Sequence, residues 1–178
     1  MQTIKFFAIL IAASTEIFAE SAPSRRLIVN IAARKIVLVE DGKVVKMYPV
    51  AVGKRSTPSP SGRFRIASHV ANPTYSHDGK MVKPGPSNPV GTRWMGLGYK
   101  GYGVHGTNQP ESIGHAASHG CIRMRNQDVE ELFALVRVGD EVDLIAKPTA
   151  EEARLFDDAA PETVASAAHA DGLPGESQ

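Results

Sequence analysis

Leu27-Ile-Val-Asn-Ile31 and Lys35-Ile-Val-Leu-Val39, followed by Asp41-Gly42 and then Lys43-Val-Val-Lys-Met-Tyr48, are the segments that decide the fold class of this chain. The runs are short, apolar and β-branched, a composition that suits a pleated surface packed against a core. Asp-Gly between two such runs is a two-residue hairpin signal, because both residues accept the positive φ angles that a tight, twist-matched turn requires. A β meander is therefore predicted at the start of the folded region.

Downstream, Thr57-Pro-Ser-Pro-Ser-Gly62 is concentrated turn chemistry, and Arg63-Phe-Arg-Ile66 alternates polar with apolar as a strand does. Ala71 to Gly91 contains Pro73, Pro84, Gly85, Pro86 and Pro89 with little periodicity. It reads as a long loop, either a lid or binding rim or an irregular packed connection. Trp94-Met-Gly-Leu97 and Tyr102-Gly-Val104 read as glycine-interrupted strands. From Asn126, taken as an N-cap, to Val136 the spacing predicts a helix, with Asp128, Glu130 and Glu131 at its start and a Val129/Leu132/Phe133/Val136 stripe on one face. Glu141-Val-Asp-Leu-Ile145 reads as a closing strand, and residues 148–178 as a polar, flexible tail, partly helical, with no core of its own.

Upstream, Lys5 precedes the apolar run Phe6-Phe-Ala-Ile-Leu-Ile-Ala-Ala13, and Ala19, Ser21 and Ala22 offer small residues for cleavage. This is the layout of a signal peptide over residues 1–21. The run falls well short of the roughly 20 apolar residues of a spanning helix. The reading implies export, with no transmembrane segment in the mature protein; the competing reading is a buried N-terminal helix. The 178 residues, with 20 basic against 19 acidic side chains, make one domain the default and give no basic block of the kind nucleic-acid binding uses. Cys121 is the sole cysteine, which excludes an internal disulfide and any CxxC site.

Around that thiol lie His105, His115 and His119, set among Gly103, Gly106, Gly114 and Gly120. A thiol attacks as thiolate, and near neutral pH it needs a base; imidazole is the side chain best matched to that task. His119, two residues from Cys121, points to the opposite face of an extended segment, whereas His105 at the end of a β-like run can approach across strands. Geometry favours His105. Gly120, without a Cβ, lets a carbonyl substrate come close and frees the N–H groups of Gly120 and Cys121 for a developing oxyanion. Two other readings stand beside this one. His115 and His119 have a helical metal-binding spacing that Cys121 or His105 would complete, although Gly114 and Gly120 make a continuous helix doubtful. The alternative is a structural histidine-rich turn.

Val104-His-Gly-Thr107 followed by Ser118-His-Gly-Cys-Ile-Arg-Met124, with 16 positions from His105 to Cys121, resembles the signature of the L,D-transpeptidases (YkuD-type catalytic domain). Asn108-Gln-Pro-Glu-Ser-Ile-Gly114, Arg125 to Val129, Val52-Gly53 and Thr57 to Gly62 also match that family's spelling. The resemblance implies a catalytic domain over residues 25–147, with a mainly β, sandwich-like fold and one principal packed α-helix. It implies Cys121 as nucleophile and His105 as proton acceptor and donor, with the Gly106 carbonyl orienting the imidazole. Ser118, His119 and Gly120 would support the site. Arg123 would serve either the structure or a substrate carboxylate. No metal or cofactor is implied.

The chemistry implied is acyl transfer on peptidoglycan stem peptides as donor and acceptor, with release of D-alanine and formation of a 3→3 cross-link or anchoring of a wall protein. Water as acceptor would make the protein an L,D-carboxypeptidase. The resemblance also implies a periplasmic or wall location, a part in wall organisation and cell shape, and acylation by carbapenems. A non-catalytic wall-binding protein is the reading from another class.

Overall fold

The computed structural model describes residues 24–99 and 101–157. The expected leader at 1–21 lies outside them, as does the end of the expected tail. The meander forms as predicted: β1 (Arg25–Asn30), β2 (Lys35–Glu40) and β3 (Lys43–Pro49) pair antiparallel in sequence order. Asp41 and Gly42 turn between β2 and β3 with φ of 48° and 79°, the left-handed values this dipeptide supplies.

Next come β4 (Val52–Gly53), β5 (Gly62–Arg65), β6 (Ser68–Ala71), β7 (Tyr75–His77), β8 (Lys80–Val82), β9 (Arg93–Gly96), β10 (Gly103–His105), β11 (Ala116–Ser118) and β12 (Ile122–Arg123). The helix α1 (Asn126–Leu135), strand β13 (Glu141–Ile145) and helix α2 (Ala150–Asp157) complete the order. Five strands assemble as β3-β2-β1-β13-β5, with β13 parallel to β1, and four as β12-β10-β9-β6. Pleating sends Leu27, Val29, Ile36, Leu38, Val142 and Leu144 of the larger sheet to one face. There they meet Met95, Val104 and Ile122 of the smaller sheet and Val129, Leu132 and Val136 from the α1 region. The domain is thus two sheets and a helix around one core, a mainly β sandwich-like fold.

The opposite face of the larger sheet is also covered. Ile28, Val37 and Val39 form a second buried cluster with Phe156 of α2, which explains why β1 and β2 read as unbroken apolar runs rather than alternating ones. The start of the expected tail, read as partly helical with no core of its own, packs on the domain. Residues 150–157 are helical, Thr149 and Glu152 exchange hydrogen bonds across the helix start as a capping box does, and Phe156 is only 5% exposed. Phe156→Ala is expected to cost about 3 kcal/mol of unfolding free energy, read as a lower denaturant midpoint.

The segment 71–91, read as a long loop with little periodicity, contains regular structure. β7 and β8 form a hairpin closed by Asp78-Gly79, with φ of 48° and 74°. Asn88, fully buried, ties the excursion down: its Nδ2 donates to Pro73 O at 2.7 Å and its Oδ1 accepts from Val90 N at 3.0 Å. The packed-connection alternative is the one observed.

Candidate active site

β10 and β12 run parallel, with Val104 opposite Ile122 and His105 opposite Arg123. Val104 and Ile122 point into the core, so the alternate residues His105 and Arg123 share the outer face. Cys121 immediately precedes β12 and is partly exposed. Carried back by one residue, this register sets Cys121 across from Gly103, two positions before His105. The Arg123 charge acts on both His105 and Cys121.

His105 is 4% exposed. Its Nδ1 lies 2.5 Å from Gly106 O, and since a carbonyl only accepts, Nδ1 carries the hydrogen and Nε2 is the basic nitrogen. Burial drives the His105 pKa down from 6.5 to about 4; the Gly106 hydrogen bond opposes that shift and the Arg123 charge adds to it. Burial likewise raises the Cys121 thiol above its ordinary value, opposed by a backbone hydrogen bond from Gly103 and by the Arg123 charge. At neutral pH the resting pair is uncharged thiol and uncharged imidazole. Sγ donates to Gly101 O at 3.3 Å.

Ser118 organises the loop before the cysteine. Its Oγ donates to Cys121 O at 2.6 Å and accepts from Gly120 N at 3.0 Å. The Gly120 N–H is thus already engaged, which corrects its expected availability to an oxyanion. Among the described residues no protein acceptor takes the Cys121 N–H, which remains the candidate donor. The reason for glycine at 120 also differs from the one expected. Its φ is +115°, and a Cβ would stand 2.6 Å from Tyr102 Cε1, so an aromatic ring rather than open space occupies that side. Gly120→Ala is expected to lower the melting temperature by at least about 5 °C, the consequence of roughly 1–3 kcal/mol of backbone strain plus the clash.

The turn Thr57 to Ser59 braces the same loop. Lys54 N and Thr57 Oγ1 donate to Ser118 O at 3.0 and 3.3 Å, while Ser59 Oγ accepts from Gly53 N at 2.9 Å. A Cβ on Gly53 would collide with the backbone of Pro58, so the Val-Gly and Thr-Pro-Ser-Pro-Ser-Gly strings are read together as one packed support. His119 is exposed and makes no hydrogen bond among the described residues. Arg123 Nη1 donates to Gln109 Oε1 at 3.2 Å. Among the described residues no group of three or more metal-ligating side chains comes together.

Three site features escape the sequence reading. Trp94, read only as a strand residue, stacks on His105 with centroids 5.5 Å apart and planes at 25°. Its ring crosses Gly103, where a Cβ would come within 2.7 Å of Cη2. Gln109 holds the Arg123 guanidinium. Asn126 is not the N-cap: Arg125 holds that position without a side-chain cap bond, and Asn126 is the first helical residue. Its Oδ1 instead accepts from Thr107 N at 3.1 Å and Thr92 N at 3.3 Å. The register of β9 against β10, which pairs His105 with Trp94, is the signal that would have found the tryptophan.

Fold and site together define a mainly β, sandwich-like domain with an imidazole on β10 and a thiol at the entry to β12. Residues 24–144 match the L,D-transpeptidase catalytic domain (YkuD), and the chain belongs to that family. It is 41% identical over 122 residues to the putative L,D-transpeptidase YqjB of Bacillus subtilis, covering 65% of this chain and 68% of that one. The catalytic domain of the Enterococcus faecium L,D-transpeptidase superposes with a TM-score of 0.58 at 29% identity, over 68% of this chain and 96% of the other. L,D-transpeptidase 3 of Mycobacterium tuberculosis, solved with a faropenem-derived adduct, shares the fold at 20% identity with a TM-score of 0.58, over 68% and 60% of the two chains. The chain spans 62 to 68% of the length of its Bacillus relatives.

Proposed function

We propose that the protein is an exported L,D-transpeptidase that works on peptidoglycan stem peptides through an acyl-enzyme on Cys121. The observation that carries this reading is the fixed tautomer of His105: with Nδ1–H spent on Gly106 O, Nε2 is free to take a proton. Because thiol and imidazole are both neutral at rest, the proton moves from Sγ to Nε2 as sulfur attacks the carbonyl carbon of the penultimate residue. The C=O π pair becomes the oxyanion, which the Cys121 N–H faces. Collapse re-forms the carbonyl and breaks the C–N bond. The His105 imidazolium gives its proton to the departing D-alanine nitrogen, leaving a thioester. An acceptor amine then attacks the thioester, its proton passes to His105 and on to sulfur, and a 3→3 cross-link or a wall-anchored protein is released.

Export fits the apolar leader at 1–21, and no helix among the described residues is long and apolar enough to cross a membrane. The test is incubation with defined tetrapeptide muropeptides, read by mass. A cross-linked dimer with loss of one alanine is expected. Tripeptide alone would assign the protein as an L,D-carboxypeptidase, and unchanged substrate that still binds would make it a non-catalytic wall-binding protein.

A further inference from the structure

The peptide unit between Gly106 and Thr107 is held at both ends. Its carbonyl oxygen faces His105 Nδ1 at 2.5 Å, and its N–H donates to Asn126 Oδ1 at 3.1 Å. In a trans peptide the C=O and N–H are coplanar and point in opposite directions, so the direction of one sets the direction of the other. Gly106 alone would leave this plane free to turn, since glycine has the widest backbone freedom. Asn126 Oδ1 also accepts from Thr92 N, and it sits where a Cβ on either Gly91 or Gly106 would stand. Those two glycines are the room made for one amide oxygen.

We propose that Asn126 is a positioning residue for His105. Gripping the Thr107 N–H, it aims the Gly106 carbonyl at Nδ1 and thereby holds the imidazole in the tautomer whose Nε2 is basic. The chain of contacts runs from the first residue of α1, through one peptide plane, to the ring. It does the work that a carboxylate does in a triad, but with a backbone carbonyl as the last link. By accepting the N–H, Oδ1 also pushes electron density through the amide onto the carbonyl oxygen and makes it a stronger acceptor, the cooperative effect of linked hydrogen bonds. The inference rests on the reading of His105 as base for its effect on rate, but not for its effect on tautomer.

The test compares the wild-type chain with Asn126→Ala and Asn126→Asp, using imidazole ¹⁵N NMR together with carbapenem acylation kinetics against pH. The wild type is expected to show His105 with the proton on Nδ1. Asn126→Ala is expected to show a mixture of both tautomers and acylation slowed about 10²-fold, the scale of a catalytic group misplaced by about 1 Å. The aspartate keeps the acceptor, so Asn126→Asp is expected to keep the Nδ1–H tautomer and most of the rate. Its added negative charge favours imidazolium and moves the acid limb of the rate profile up by about one pH unit. An Ala variant with unchanged tautomer and rate overturns the proposal. So does an Asp variant with mixed tautomers and an unmoved acid limb, which also decides the matter if the Ala variant does not fold. If His105→Ala retained full activity, the catalytic reading would fall, and the tautomer would still report whether Asn126 holds the ring.

Discussion

Mixed with a carbapenem, the Cys121→Ala protein is expected to keep its unmodified mass, while the parent chain gains the mass of one drug molecule. Complete loss is expected because Cys121 is the only thiol in the chain. A hydroxyl of the same loop, Ser118 Oγ, has its hydrogen committed to Cys121 O and accepts from Gly120 N. A hydroxyl in that position cannot attack without dismantling the loop that presents the sulfur. Cys121 is partly exposed, so its truncation leaves no deep cavity, and an unchanged melting temperature would assign the loss to chemistry rather than folding. An adduct that persisted in the alanine variant would identify a different nucleophile.

Replacing His105 by alanine is expected to slow acylation by about 10²–10⁴-fold, the usual contribution of a positioned general base. The same residue sets a pH signature. With its pKa held down at about 4 by burial, the imidazole stays an unprotonated base through mildly acid conditions where a free histidine, at 6.5, would already be charged. The acid limb of kcat/KM should therefore fall near pH 4 to 5. Stability follows the same shift. Between pH 6.5 and 4 the unfolded chain binds a proton at this site and the native chain does not, so stability falls as pH falls through that window, by up to roughly 3 kcal/mol. His105→Asn is expected to flatten that slope in urea titrations at pH 4, 5 and 6.5. An unaltered slope would place the acid-labile group elsewhere.

What was legible in the sequence was local. Asp41-Gly42 announced a hairpin because apolar β-branched runs flank it on both sides. Asp78-Gly79 makes the same turn with the same positive φ angles, but its strands carry Ser76, His77 and Lys80 in place of an apolar pattern, so the signal went unread. α1 was found from its apolar stripe, and its start was assigned to the right residue with the wrong task. An asparagine before an acidic first turn resembles a cap, and only the fold brings Thr107 and Thr92 to its side chain. Phe156 has Leu155 as its one large apolar neighbour in sequence, too little to mark a core position; its partners Ile28, Val37 and Val39 come from the first strands of the domain. His105 and Cys121 could be paired because the chemistry restricts the choice. Trp94 and Gln109 could not, since nothing about an isolated indole or amide says which strand will lie beside it.

β13 is an interior strand of the larger sheet, hydrogen-bonded on one side to β1 and on the other to β5. The opening and closing segments of the domain are thus immediate neighbours, and β1 has an open edge until almost the last residue of the core has been made. Such non-local closure is slow and late. A ribosome-bound chain that stops short of Glu141 holds the larger sheet in two unjoined pieces, β3-β2-β1 on one side and β5 on the other. Synthesis of the first strand and completion of its sheet are separated in time by the topology itself.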